Sequence, residues 1–351
     1  MSQNRVKFVL LSLLGLPLLL SCSHNTTVIT PGSRTVQFGT DVVNSSRSVL
    51  NSVADMQVEG SSFGVFGSYY EGDKEIQTTV FNNEKVLYSG GSWSYSDARM
   101  WVLGKTYSFR AIYPYNNPES LTPLYKPTFI FGETNSYQIT NFAVNPDVEN
   151  QVDLLISDPI TRGPILGMDE VNNGRDVVNF TFNHLLSNVN VILYKATGAE
   201  YDMKLLAVRL LGMYNAGSCI NGVWSTLGDI DITDGYYKSY SVDEGHLVQR
   251  DDAVNGEGIV FGAGLLLIPQ SVTDKMSLVV DFQITKEVEG GSGTRVYNKR
   301  AVLMLPNTKN WVSNSKITYV AEITSDDNII FDSPIVTPWI QSQSGGVVII
   351  K

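Results

Sequence analysis

The chain has 351 residues, a formal net charge of -10 and no basic run in its body, which excludes a nucleic-acid partner because phosphate binding needs clustered Lys and Arg. Apolar residues make up 43%, enough for a packed core, while charged residues are only 17%, below the usual quarter. That balance suits a β-rich exported protein with a polar, weakly charged surface, and two cysteines with three histidines leave neither a disulfide framework nor a zinc site in prospect.

Residues 1–21 read as a secretory signal: Arg5 and Lys7 precede an apolar run from Phe8 to Leu20 that is broken by Ser12, Gly15 and Pro17. The run is too short and interrupted for a membrane-spanning helix, which needs roughly 20 apolar residues. Leu19-Leu20-Ser21-Cys22 resembles the lipobox of bacterial lipoproteins, which makes Cys22 the expected acylation site and the outer membrane, reached through lipid, an expected partner. The plain alternative is an ordinary signal peptide with a chance cysteine. Residues 22–60 read as a tether with one brief strand-like alternation at 35–38. Arg34 and Arg47 lie in its polar parts, where proteases cut most readily, or are simply solvated arginines.

From residue 61 the pattern becomes persistently β. Residues 63–70, 85–88, 107–113 and 137–144 are short aromatic and β-branched runs closed by Gly, Asn, Asp or Pro, and no window in this first half carries a long helical apolar stripe. The spacing predicts an all-β protein of antiparallel sandwiches with few short helices. A stretch at 158–176, rich in Pro, Gly and charge, reads as a junction that separates a first domain, 61–165, from a second, 166–351; a long hairpin loop within one domain is the alternative. Further strands are expected at 177–182, 188–194, 203–213, 262–268, 276–285, 295–305, 316–324 and 328–331, and an exposed acidic insertion at 229–250. The C-terminus ends in Val347, Val348, Ile349 and Ile350, a β-branched run that pairs at the edge of its own sheet or adds itself to another subunit.

No catalytic pattern emerges. There is no HExxH, and the pairs Asp251-Asp252 and Asp326-Asp327 alternate across any strand, as turn acids do. Cys219 sits among small residues without a basic neighbour and reads as structural. Aromatic residues offer a sugar-stacking surface, with Trp93, Trp101 and Trp224 as candidates for a glycan-binding lipoprotein, although aromatics at strand spacing more often fill cores. No cofactor, metal or enzymatic activity is expected.

The order of segments carries more than any one motif. A lipobox and an arginine-bearing leader are followed by Ser62-Phe-Gly-Val-Phe-Gly67, Trp93-Ser-Tyr95, the run from Tyr107 to Pro114, Asp153-Leu-Leu155, the run from Val178 to Val189, Leu266-Leu-Ile-Pro-Gln270 and a late Trp311. That order resembles the fimbrillin-like family of surface lipoproteins from Bacteroidales-type bacteria. The resemblance implies two β-sandwich domains of transthyretin-like topology and a shaft, anchor or tip subunit of a pilus at the outer membrane. Its partners would be other pilus subunits and a ligand on a host or bacterial surface. In shaft subunits an arginine-specific protease removes the leader with its first strand, and a neighbour's C-terminal strand fills the groove. Carried to this sequence, Cys22 is the lipidation site, Arg47 or Arg34 the cleavage site, with Arg47 favoured, and residues 347–350 the donor strand. The acidic insertion is not accounted for by the motif order.

Overall fold

The computed structural model of the protein describes residues 35–40, 56–70, 72, 76–116, 125–131, 135–167, 177–198, 201–228, 235–241, 243–250, 258–288, 290, 292–324 and 329–339. Before residue 165 the strands are β1 (Gln37–Thr40), β2 (Ser62–Tyr70), β3 (Thr78–Ser89), β4 (Ser92–Ser94), β5 (Thr106–Tyr113), β6 (Lys126–Ile130), β7 (Ser136–Ala143), β8 (Leu155–Ser157) and β9 (Ile160–Arg162). Next come β10 (Val177–Phe180), β11 (Phe182–His184), β12 (Ser187–Lys195), β13 (Asp202–Leu211), β14 (Ala216–Ile220), β15 (Val223–Leu227) and β16 (Tyr236–Ser239). The last are β17 (Ile259–Leu267), β18 (Ser277–Glu287), β19 (Thr294–Met304), β20 (Ser315–Ile323), β21 (Ile329–Phe331) and β22 (Ile335–Pro338). One 3-10 turn, Val148–Asn150, is the complete helical element among the described residues.

A seven-stranded sheet runs β11-β8-β5-β2-β3-β4, with β9 on β5, and both of its faces are covered. Phe63 and Val65 of β2 with Tyr107, Phe109 and Ala111 of β5 face one core, which the two-stranded sheet of β1 and β10 closes through Phe38, Val178 and Phe180. Phe66, Ile112 and Ile156 face the other way, into a core shared with Tyr137, Ile139 and Phe142 of β7. This explains why β2 is buried without interruption from Phe63 to Ser68: a strand covered on both faces needs no polar alternation. Beyond it, β12, β17 and β20 of a five-stranded sheet face β13 and β18 of a four-stranded sheet, with Val189, Val191, Leu193, Ile317 and Tyr319 opposite Leu205, Val208, Leu278, Val280 and Phe282 in one core. There β13 and β18 alternate buried and half-buried, as a one-sided sheet face requires.

The all-β expectation matches this architecture, with several antiparallel sheets arranged as sandwiches. Three pairings cross the expected boundary at residues 165 and 166: β1 with β10, β8 with β11, and β7 with β14. The proline-rich stretch itself holds β9, which pairs with β5. The insertion at 229–250 differs from an exposed loop, because β16 pairs with β13 and both Tyr236 and Leu247 are buried; its acidic composition masked two apolar anchors. The tether is likewise not wholly polar and solvated, since residues 36–40 lie in the core.

Candidate functional site

The short first strand is held as tightly as any core element. Four residues of β1 pair in parallel with β10, Gln37 opposite Val177 through Thr40 opposite Phe180. Val36 and Phe38 are 0% and 2% exposed. The Phe38 ring is the hub of an aromatic cluster: Phe81 lies edge-on at 5.0 Å, Phe180 is stacked at 5.8 Å, and Tyr95 and Phe109 are at 5.4 and 5.9 Å between centroids. Gly39 lets the strand approach its partner, because a Cβ there would collide with the Asn179 side chain.

Side chains clamp the other edge of β1. The Val36 amide donates to the Arg99 carbonyl at 2.8 Å, and Tyr95 donates its hydroxyl to the Val36 carbonyl at 2.7 Å while accepting from the Arg99 amide at 3.2 Å. Thr40 Oγ1 accepts from both Trp93 Nε1 at 3.1 Å and Gln57 Nε2 at 3.2 Å. Arg99 is in turn fixed by Glu84 at 2.9 Å and lies over the Phe81 ring. Burial pushes the Tyr95 phenol above its ordinary range, so it stays a hydroxyl donor at any physiological pH. A cleft of about 230 Å³ opens between the two elements, lined by residues of β1, Trp93 and Tyr95.

A second feature marks where the C-terminal segment leaves the body. After β22, whose side chains face solvent, Trp339 turns into the protein and is buried against His184. The His184 Nδ1 lies 2.9 Å from Asp153 Oδ2, both side chains buried. The Trp339 amide donates to the Asn314 carbonyl at 2.8 Å. Residue 339 is thus a fixed point from which residues 340–351 continue.

Of the residues singled out in the sequence, Cys22, Arg34, Arg47, Val347, Val348, Ile349 and Ile350 lie outside the described residues. The three tryptophans are not brought together. Trp101 is 5% exposed and packs edge-on against Tyr107 and Phe109, and Trp93 packs on Phe63 in the same core. Trp224 packs instead against Phe142 in the other core and donates its indole N–H to the Leu185 carbonyl at 2.8 Å. Cys219 is free and buried, and burial pushes its thiol up to about 11. Among the described residues no group of three His, Cys, Asp or Glu side chains could hold a metal ion. The feature that sequence reasoning underrated is β1: its alternation at 35–38 was the signal, and its parallel partner lies 140 positions away.

Stacked all-β sheets closed over by a short N-terminal strand define a β-sandwich protein. A Fimbrillin-like family profile matches residues 53–339, and the chain belongs to that family of fimbrial proteins. A fimbrial protein from Bacteroides vulgatus shares the fold with a TM-score of 0.62 at 17% identity, over 88% of this chain and 100% of that one. The tip fimbrial protein Mfa3 from Porphyromonas gingivalis, with a C-terminal truncation, aligns at 11% identity over 82% of this chain and 96% of that one, with a TM-score of 0.31. A comparison with curated protein sequences found no match.

Proposed function

We propose that the chain is a pilus subunit, exported as a lipoprotein acylated at Cys22, that polymerises when β1 is cut free and replaced by residues 347–350 of a second copy. The observation that carries this reading is the position of β1. Its Val36 and Phe38 fill an apolar slot lined by Phe81, Tyr95, Phe109 and Phe180, yet chain continuity with the body runs only through residues 41–55, which include Arg47.

Chain order separates the two arginines. A cut after Arg34 precedes β1 and leaves it covalently in place, whereas a cut after Arg47 leaves it held by non-covalent contacts alone. Strand exchange then swaps one set of backbone hydrogen bonds and apolar side chains for another. In an extended donor two of Val347, Val348, Ile349 and Ile350 face inward, the same number of apolar residues that Val36 and Phe38 supply.

The test is N-terminal mass spectrometry of protein from intact outer membranes, read together with a non-boiled gel. An N-terminus at residue 48 with an SDS-resistant ladder is the expected result, abolished by Arg47→Ala and unaffected by Arg34→Ala. A ladder that persists in Arg47→Ala, or after deletion of residues 347–350, overturns the exchange mechanism. An acylated Cys22 retained on a monomer leaves the chain as an anchor only.

A further inference from the structure

Five large apolar side chains from three loops converge at one end of the seven-stranded sheet. Strand register fixes the convergence. Tyr70 at the end of β2 pairs with Thr106 at the start of β5, Thr78 at the start of β3 pairs with Tyr69, and Arg162 at the end of β9 pairs with Tyr107. The loops around residues 76, 100–105 and 163–167 therefore leave the sheet side by side. The Gly104 amide donates to the Ile165 carbonyl at 2.8 Å, and the Ile165 amide to the Lys105 carbonyl at 3.2 Å. On these loops Ile76 is 75% exposed, Leu166 73%, Met100 65%, Leu103 51% and Val102 40%. Single exposed hydrophobics are ordinary; several at one tip of a soluble body mark a contact surface.

We propose that this tip rests on the membrane, with Met100, Val102, Leu103 and Leu166 entering the lipid headgroup layer. The occupant follows from where the N-terminal chain enters the fold: Thr35 bridges to Met100 itself, immediately before β1. Thr35 lies thirteen residues beyond Cys22, a reach of at most ~45 Å in extended chain. The tether from an acylated cysteine thus joins the body at this tip, which makes the bilayer the apolar phase to which the tip is tethered. The docking rests on the lipid anchoring proposed above. Lys105 and Arg162 lie at the tip, and the sequence of the β2–β3 loop adds Glu71, Asp73, Lys74 and Glu75, so positive and negative charges balance there. Apolar insertion, and not attraction to anionic lipid, therefore supplies the contact, as for interfacial side chains in general.

The test uses the full chain reconstituted in phosphatidylcholine vesicles, with an environment-sensitive fluorophore on Leu103→Cys or, independently, Met100→Cys. Val223→Cys, 71% exposed in β15, is the control. Fluorescence at 103 and 100 should rise at least threefold on reconstitution and be quenched by nitroxide-labelled phosphatidylcholine, with position 223 unchanged. Combining Val102→Ser and Leu166→Ser with the label should abolish the response while the anchored chain still floats with the vesicles. Equal behaviour at 103 and 223 overturns the proposal. So does a change at 103 that follows protein concentration instead of lipid, which would identify a second copy as the occupant. The mass of the N-terminal peptide from the same sample reports separately on Cys22. If it is unacylated, the label is read at saturating vesicles, and silence there also overturns the docking.

Discussion

The indole of Trp339 lies parallel to the imidazole of His184, their centroids 3.6 Å apart and their planes within 6°. Asp153 fixes the imidazole through Nδ1, so the ring presents a rigid face to the tryptophan. The side chains of β22 are exposed and its backbone pairs with β20, so Trp339 adds a buried side-chain anchor to the chain end from which residues 340–351 depart. Trp339→Ala should lower unfolding free energy by about 3–5 kcal/mol, the usual range for emptying a buried aromatic site. Trp339→Phe keeps a ring on His184 and should cost less than half as much. Urea denaturation of both variants checks the order; equal losses would mean that the stack contributes nothing.

Phe38 packs against four aromatic rings, and Thr40 accepts from two donors. In the uncut chain Phe38→Ala should cost about 3–5 kcal/mol. Thr40→Val removes the acceptor of Trp93 and Gln57 while keeping the side-chain shape, and should cost about 1–3 kcal/mol through donors left without that acceptor. Hydrogen exchange at the β1 amides should accelerate in both. A globally stable Phe38→Ala chain would show that β1 is a passive cover.

Much of the body was legible because local pattern and tertiary role agree. The aromatic run of β2, the alternation of β13 and β18, and the closing Gly and Asn residues mark strands in any context. What escaped depends on distant partners. Strands β14 and β15 are short, and β14, rich in small residues, becomes a strand by pairing with β7 on one side and β15 on the other. The strand β1 shows four residues of alternation, but its burial is decided by β10 and by Tyr95 and Trp93 across the core. His184 was visible as a histidine after a strand, and its partners Asp153 and Trp339 are 31 and 155 positions away.

On the outer face of β18, Asp281 is gripped by Arg300, with Nη2 to Oδ2 at 3.0 Å and a second bond from Nε to Oδ1, and by Arg209 Nη1 at 2.7 Å. The Arg300 hydrogen bonds first, and Arg209 after them, hold the carboxyl below its usual range against the opposing effect of burial. A depressed folded value means stability present above the unfolded value and lost as pH falls through the folded one. The stability difference between the native chain and Asp281→Ala should therefore be about 1 kcal/mol at pH 6 in low salt, shrink below pH 4, and weaken in 1 M salt. A difference independent of pH would show that the network acts by packing alone.

Cys219 offers the last prediction, and it reports on two features at once. Cys219 lies on β14, the strand between β7 and β15, with its side chain in the core, and burial raises the thiol from about 9 to about 11, against smaller lowering by hydrogen bonds with Gly222 and Tyr137. The neutral thiol is the nucleophile's inactive form, so a disulfide reagent at pH 8 should leave the folded chain unmodified. Unfolding of the uncut chain in guanidinium should then release one reactive thiol if Cys22 carries lipid and two if it does not. Stability follows the same shift. A folded value above the unfolded one gives a contribution fully present below pH 9 and lost as pH rises toward 11, at most ~2–3 kcal/mol. Cys219→Ala removes that dependence, so the native chain should lose stability relative to the variant between pH 9 and 11. Tyrosines remote from Cys219 cancel in the difference, and a Tyr137→Phe background removes the one tyrosine coupled to the thiol. Fast modification of the folded chain at pH 8 would show that the β7–β14–β15 sheet opens locally.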